Sequence, residues 1–584
     1  MVALKTHVLF LSQFMRIHSS SIFILFFVAK SFFVQAQQNY PQHYFRDPLN
    51  IPIQLASNFG ELRPDHFHMG LDIRTQSREN LPVFAVADGY ISHIKIEKYG
   101  YGRAIYIKHP NGYTTVYGHL NSFYDALEKY LENKQYTDGK WEQDFDLPAN
   151  MFAVSKGQFI ANSGNTGGSQ GPHLHFEIRD TKTGNNLNPL LFGLNVSDNI
   201  APSIYGLYWY DRRYSIYSLS PQPISIIQKN NAYTTKNGVA KVGSPIITLG
   251  IRMKDKSNIS PFHYGVYRAA LYMDDTLLFE FKLNNFSYYD SRYVNACMDY
   301  KRWMENKQGI QYLSILPGNK LNVFTPLASD GKVVLYDTSI HKIKIEINDE
   351  QQNTSTLNFL IQYDGALQKN YSLPVNAIVC DVNEVNDLET KNSKIHFDES
   401  AFYDALPLTV YETPSTTTKQ ISSTIHIGNY SIPVQDDYTV SIKTDKILDD
   451  ELKDKTVMQL ISGNSKIFVK GEWQNNYMLG SFDELGDAAL LIDTIAPVII
   501  PVEWKDGTVF KTQKNLIIKC KDDLSKIVNF TATLDGNWLM FAKKNDNFIY
   551  TFDAHCATGN HTLTITITDV AGNAATQTFN FTKQ

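Results

Sequence analysis

One strand pattern occurs twice in this chain and constrains its fold more than any other feature. Residues 341–349 read HKIKIEIND and residues 561–569 read HTLTITITD; in the same register Asn353 matches Asn573 and Phe359 matches Phe579. Upstream, Leu249–Asp255 (LGIRMKD) resembles Leu516–Asp522 (LIIKCKD). Apolar and polar residues alternate in these stretches, which is the two-residue period of a strand with one buried face. Such a strand hides that face only against a second layer, so the repeat predicts antiparallel β-sandwiches. One is expected over 205–365, with a long insertion, and another over 490–584. Between them, 366–489 reads as a β-rich domain without a clear parent, with a turn-rich Pro/Thr/Ser boundary near 413–424. The 34 Tyr and 34 Phe agree with a mainly β chain.

The 584 residues leave room for about three to five domains. With 43% hydrophobic and 19% charged residues, each can bury a core. Lys and Arg (54) nearly balance Asp and Glu (59), for a net charge of −5, which argues against nucleic acid as the main partner. Residues 1–36 read as an export signal. Ser21–Val34 is apolar apart from Lys30 and Ser31, and Val34-Gln35-Ala36 offers small residues for cleavage before Gln37. A start at Met15, with Arg16 as the basic flank, gives better proportions than Met1. No later stretch is long and apolar enough to span a bilayer. The expected product is exported, to the periplasm or the outer cell surface. Its four cysteines suit an oxidising compartment, and Cys520 with Cys556 is the favoured pair, against four buried thiols.

After a short segment over 37–54, residues 55–200 differ in character. Asp88-Gly89 and Asn111-Gly112 read as tight hairpin turns. An insertion over 121–150 holds a helix starting near Ser122, with Asp125 placed as in a capping box. Three pieces carry chemistry. His68 and Asp72 lie four apart around Gly70, which lets the backbone bend. His173 and His175, two apart on a strand, enter one cleft. His119 ends a strand on the face shared by Tyr113, Thr115 and Tyr117.

Hydrolytic zinc takes three N or O ligands and keeps a position for water, whose pKa then falls from about 15.7 towards 7. His68, Asp72 and His175 supply that set, with His66 as the reserve ligand. His119 and His173 remain, one to move the water's proton to the leaving amine and one to donate to the oxyanion. His93 and His109 read as surface and turn residues. The chain has no His-Glu-x-x-His and no Gly-x-Ser-x-Gly.

The ordered set Phe59-Gly60, His68-x-Gly70-x-Asp72, Ala87-Asp88-Gly89, Gly100-Tyr101-Gly102, His109-x-Asn111-Gly112, Tyr117-Gly118-His119-Leu120, Gly164-Asn165-Thr166-Gly167 and Gly171-Pro172-His173-Leu174-His175-Phe176-Glu177 resembles the lysostaphin/LytM-type zinc metalloendopeptidases of bacterial peptidoglycan. The resemblance covers about 55–195. It implies an antiparallel β fold with a groove over Zn2+. It also implies ligands at His68, Asp72 and His175, catalytic histidines at His119 and His173, and peptidoglycan stem peptides or cross-links as substrate. The short stretch between Gly60 and His68 implies a lower first wall, and the insertion is expected either to border the groove or to pad the sheet edge.

The leading expectation is therefore an exported zinc endopeptidase whose C-terminal sandwiches hold the catalytic domain at a distance or at an envelope partner. A non-catalytic peptidoglycan-binding activator of a cell-wall amidase is the alternative, weakened because every ligand and both histidines are present. A third reading makes the sandwiches adhesion or carbohydrate-binding modules, but they show no cluster of Trp or charge.

Overall fold

The computed structural model describes residues 40–229, 232–415, 417–544 and 546–584. The export signal expected over 1–36 lies outside the described residues. Among the described residues no helix is long and apolar enough to cross a membrane.

The first domain is built on an antiparallel sheet with the strand order Leu55–Ser57, Leu71–Arg74, His173–Asp180, Tyr113–Gly118, Arg103–Lys108, Gly89–Ile96, Gln143–Asp146. Alternation along His173–Asp180 sends Leu174, Phe176 and Ile178 into the core at 0% exposure. His173, His175, Glu177 and Arg179 take the other face. A three-stranded sheet of Pro82–Phe84, Phe159–Ser163 and Leu120–Phe123 completes the domain.

Asn111-Gly112 makes the expected hairpin, with Gly112 at φ +86° joining Arg103–Lys108 to Tyr113–Gly118. Asp88-Gly89 does not. The strand Gly89–Ile96 has Arg103–Lys108 on one edge and Gln143–Asp146 with Ala153–Val154 on the other. With both edges taken, Pro82–Phe84 pairs instead with Phe159–Ser163 in the second sheet.

The inserted helix runs Asp125–Asp138, buries Leu127 and Leu131, and stops at left-handed Gly139. Its start differs from the expected capping box. Ser122 belongs to the strand Leu120–Phe123, Tyr124 is the N-cap without a side-chain bond, and the Glu128 carboxylate accepts from Phe123 N at 2.7 Å.

The sheet does not end with the first domain. Asn186–Leu187 pairs with His173–Asp180 on one side and with Asn285–Phe286 on the other, the latter contributed by the insertion of the next domain. Phe286 stacks on Phe59 at 4.5 Å and lies 5.3 Å from Phe67. The Asn58 side chain exchanges two hydrogen bonds with the Gly265 backbone (2.9 and 3.0 Å). Both matched strand pairs are present: Ile340–Asn348 with Thr354–Tyr363, and Gly559–Asp569 with Ala574–Lys583. Residues 386–492 form two five-stranded sheets around a core that includes Phe397, Tyr438 and Leu460.

Each domain also touches the next. Arg292 donates to Val434 O at 3.0 Å and pairs with Asp483 at 3.1 Å. Ala571 packs with Val457, Ala489 and Leu491. The last domain then returns to the first, where the His555 ring stacks on Tyr136 of the inserted helix at 3.6 Å and Trp538 meets Tyr136 edge-on at 5.2 Å. All four cysteines are free thiols; Cys520 and Cys556 pack in the last domain's core without the expected bridge.

Candidate metal centre and groove

The centre is built by strand register. His175 sits directly opposite Asp72 on the neighbouring strand, and opposite Gly118 on its other side. Residues directly opposite share a face, so the His175 ring and the Asp72 carboxylate meet. Gly70 is needed for close approach, not for a special φ: a Cβ there would lie 2.3 Å from Phe176 O. That approach brings His68 over the same point. His68 Nε2, Asp72 Oδ1 and His175 Nδ1 are 3.0, 3.2 and 2.9 Å apart pairwise.

Hydrogen bonds fix which nitrogens carry protons. His68 Nδ1 lies 2.7 Å from Asn58 O, and His175 Nε2 lies 2.9 Å from Glu177 Oε1. These oxygens only accept, so those nitrogens donate and the other two turn lone pairs towards Asp72. Two lone pairs and a carboxylate aimed at one point repel unless positive charge sits among them. Zinc with bonds of about 2.0–2.1 Å in a tetrahedron holds its ligand atoms about 3.3 Å apart, which this donor set fits. The field agrees. Burial would raise Asp72, yet His68, His173 and His175 hold it well below the usual carboxylate range. Burial would lower His175, yet its bonds to Asp72 and Glu177 push it up to about 9, so that without a cation at this point a proton on Nδ1 takes its place.

Glu177, which the sequence motifs leave without a role, anchors the His175 ring. It is wholly buried and accepts from His175 Nε2, Tyr101 Oη (2.7 Å), Arg179 Nε (2.7 Å) and Asn186 Nδ2 (2.8 Å). Every lone-pair direction of the carboxylate is used, so the His175 ring cannot turn. The signal was present as the run of alternate residues from His173 to Arg179.

The structure brings His119 and His173 beside the three, with ring centroids 4.6 Å apart. His173 Nδ1 donates to Gly171 O (2.8 Å) and turns Nε2 towards Asp72 Oδ1 (3.3 Å). His119 Nδ1 donates to Thr166 O (2.8 Å). The expected sharing of a face with Thr115 and Tyr117 fails. His119 has φ +59°, which breaks the alternation; Thr115 and Tyr117 bond inward to His109 and Val86 while His119 turns into the groove. Burial, then the charges of His175 and His173, pushes His119 down to about 3.

His66 stays apart from the three, exposed, with Nδ1 3.0 Å from Pro64 O. His109 sits at the Asn111-Gly112 turn as expected, its carbonyl accepting from Gly112 N and its ring buried between Asp88 O and Thr115 Oγ1 (2.8 Å each). His93 pairs with Asp144 and Asp146 of the insertion.

An open groove of about 1330 Å³ lies over the centre. None of residues 121–150 lines it; the insertion pads the far edge of the sheet. One wall comes instead from the second domain, through Tyr288, Tyr289 and Arg292 on the 3-10 segment Tyr288–Ala296. That segment braces the short hairpin before His68, since Asn295 Nδ2 donates to Asp65 Oδ1 (3.0 Å).

Residues 66–135 and 151–189 match the model of Peptidase family M23. Residues 377–493 match the Zu5-like domain, and 504–582 the bacterial Ig-like domain. Among curated relatives, an uncharacterized metalloprotease of Haemophilus influenzae is 33% identical over 156 residues, 25% of this chain and 26% of that protein. The DD-carboxypeptidase/endopeptidase Mpg of Neisseria meningitidis is 35% identical over 127 residues, 22% of this chain and 23% of that protein. The chain thus spans about a quarter of the length of these curated relatives. Among solved structures, the catalytic domain of the antimicrobial peptidase lysostaphin from Staphylococcus simulans is 23% identical, covering 24% of this chain and 91% of that one, with a TM-score of 0.18. The chain carries an M23-like metallopeptidase domain with a His/Asp/His cluster compatible with a metal, followed by β domains of Ig-like and Zu5-like type.

Proposed function

We propose that this protein is an exported zinc metalloendopeptidase that hydrolyses peptide cross-links of bacterial peptidoglycan. The observation that carries the reading is the cluster of His68, Asp72 and His175, with ligand atoms within 3.2 Å of one another and lone pairs fixed by Asn58 O and Glu177. The match to Peptidase family M23 and the relative named as a DD-carboxypeptidase/endopeptidase support the substrate class. The apolar run Ser21–Val34 supports export to the periplasm or cell surface.

When bound, zinc supplies Lewis acidity that polarises the scissile carbonyl and acidifies a water. The chain's own residues do the rest. His68, Asp72 and His175 would hold the ion. His173 and His119, with Nδ1–H anchored on carbonyls, present Nε2 to the reacting groups. One Nε2 so oriented would take the proton of the attacking water, and that same proton would then bond to the oxyanion and pass to the leaving amine, while the other Nε2 accepts a hydrogen bond from the water. The open groove admits a peptide strand crossing the centre.

The test incubates zinc-loaded chain from Gln37 with purified sacculi, beside a His175→Ala control, and reads the fragments by mass spectrometry. Cross-linked dimers should become monomers only with the intact centre. No change in either sample, with zinc stoichiometrically bound, would replace the enzyme by the amidase-activator reading.

A further inference from the structure

Three carboxylates far apart in sequence meet where the first domain joins the second. Asp198 comes from the linker, Asp255 follows the strand Ile246–Lys254, and Asp349 follows Ile340–Asn348. One oxygen of each lies within 4.8 Å of the others. Asp255 is 3% exposed, and its buried Oδ1 has no hydrogen-bond partner. Asp349 is held by Asn353, whose backbone N and Nδ2 reach its two oxygens at 2.8 and 2.6 Å; the same Nδ2 lies 3.4 Å from Asp198 O.

The joint before the last domain repeats this construction. Asp493 follows the strand Gly486–Ile492 and Asp522 follows Asn515–Lys521; with Asp523 they form a second group within 4.8 Å. Asp493 is 0% exposed, and neither of its oxygens has a partner; Asp522 Oδ2 is also buried and unpartnered. Asp569 is held by Asn573 N and Nδ2 at 2.8 Å each, and that Nδ2 donates to Asp493 O at 2.8 Å. The sequences correspond throughout: Asp198-x-Ile200-Ala201-Pro202 with Asp493-x-Ile495-Ala496-Pro497, Asp255 with Asp522, Asp349 with Asp569, and Asn353 with Asn573. The joints differ in one respect, because Asp523 takes the third place in the second group while Asp569 stands beside it.

Burying an ionised carboxylate without a partner is costly, and doing so twice in one motif points to a charge that belongs there. We propose that the two joints are a repeated pair of binding sites for a divalent cation of the calcium type, each tying one domain to the next. The donors are all oxygen, with no imidazole or thiolate, which selects a hard cation over zinc. Carboxylates on linkers and strand ends, with the Asp198 and Asp493 carbonyls beside them, suit the irregular set of 6–8 oxygens at about 2.3–2.6 Å that calcium accepts and magnesium does not. The crowding has the matching electrostatic sign: burial, then the Glu350 and Asp198 charges, pushes Asp255 up to about 8.

Chain from Gln37, dialysed into calcium-free buffer with one equivalent of zinc, is titrated with calcium chloride to about 10 mM by calorimetry, a range that covers weak extracellular modules. Two calcium ions per chain are expected, with at least tenfold weaker binding of magnesium. Asp255→Asn and Asp493→Asn should each leave one ion and the double variant none, with zinc content unchanged in all three. No calcium uptake by the folded wild-type chain would overturn the proposal. So would two ions still bound by the double variant, which would place them elsewhere.

Discussion

Glu177 shows how much of the centre depends on a residue that touches no metal. Its buried carboxylate collects four donors, and one of them is the ring nitrogen that sets the His175 tautomer. Glu177→Gln keeps the shape but replaces an acceptor with a donor facing donors. Zinc affinity, read by competition with a chromogenic chelator, should fall about 10–100-fold while His175 itself is intact. Unchanged affinity would show that the strand alone holds the ring. This part of the centre was legible, because His173, His175 and Glu177 obey the two-residue period of one strand. His119 was not legible by the same rule, since a left-handed φ at that residue reverses the face. Nor was the Asn58 carbonyl that fixes His68, because a backbone group in a turn leaves no mark in residue identity.

At the scale of elements, the groove owes one wall to the segment Tyr288–Ala296, about a hundred residues after the last histidine of the centre. Tyr288 and Tyr289 are 52% and 88% exposed, an aromatic pair at the lip. Such rings stack on flat or apolar groups of a passing substrate. Replacing both with Ala should raise KM for cross-linked peptides several-fold and leave kcat and zinc content near wild type. A loss of zinc instead would mean that the segment serves only to brace the hairpin through Asn295 and Asp65. Local signals could not reveal this wall. A two-residue turn such as Asn111-Gly112 is written in its own dihedral needs, whereas the partner of a strand edge depends on which edges remain free. The same limit misplaced Asp88-Gly89.

Across the whole molecule, the repeated alternation made the sandwiches readable, because each strand carries its own buried face. Domain contacts left no comparable pattern. The return of the last domain to the first also brings Lys543 against Lys98. Burial, then the Lys98 charge, pushes Lys543 down to about 8 from 10.5. Below about pH 8 the contact therefore carries the full penalty of burying a charged Lys543 beside a second positive charge. Between pH 8 and 10.5 the separated state binds more protons than the docked one, so docking strengthens as pH rises. Lys98→Ser removes the like-charge part of the penalty and leaves the part due to burial. Its gain in urea midpoint over wild type should be largest at pH 7.5 and shrink by pH 10; a gain independent of pH would sink the idea.

Four bodies strung in a row need three joints, and Tyr136 against His555 supplies a fourth, turning the row into a circuit. In a circuit no hinge swings alone, because any rotation at one corner must be matched at the other three. The lip carrying Tyr288 and Tyr289 is therefore steadied from both directions around the loop. A single backbone cut in any one linker leaves two pieces still joined along the remaining path.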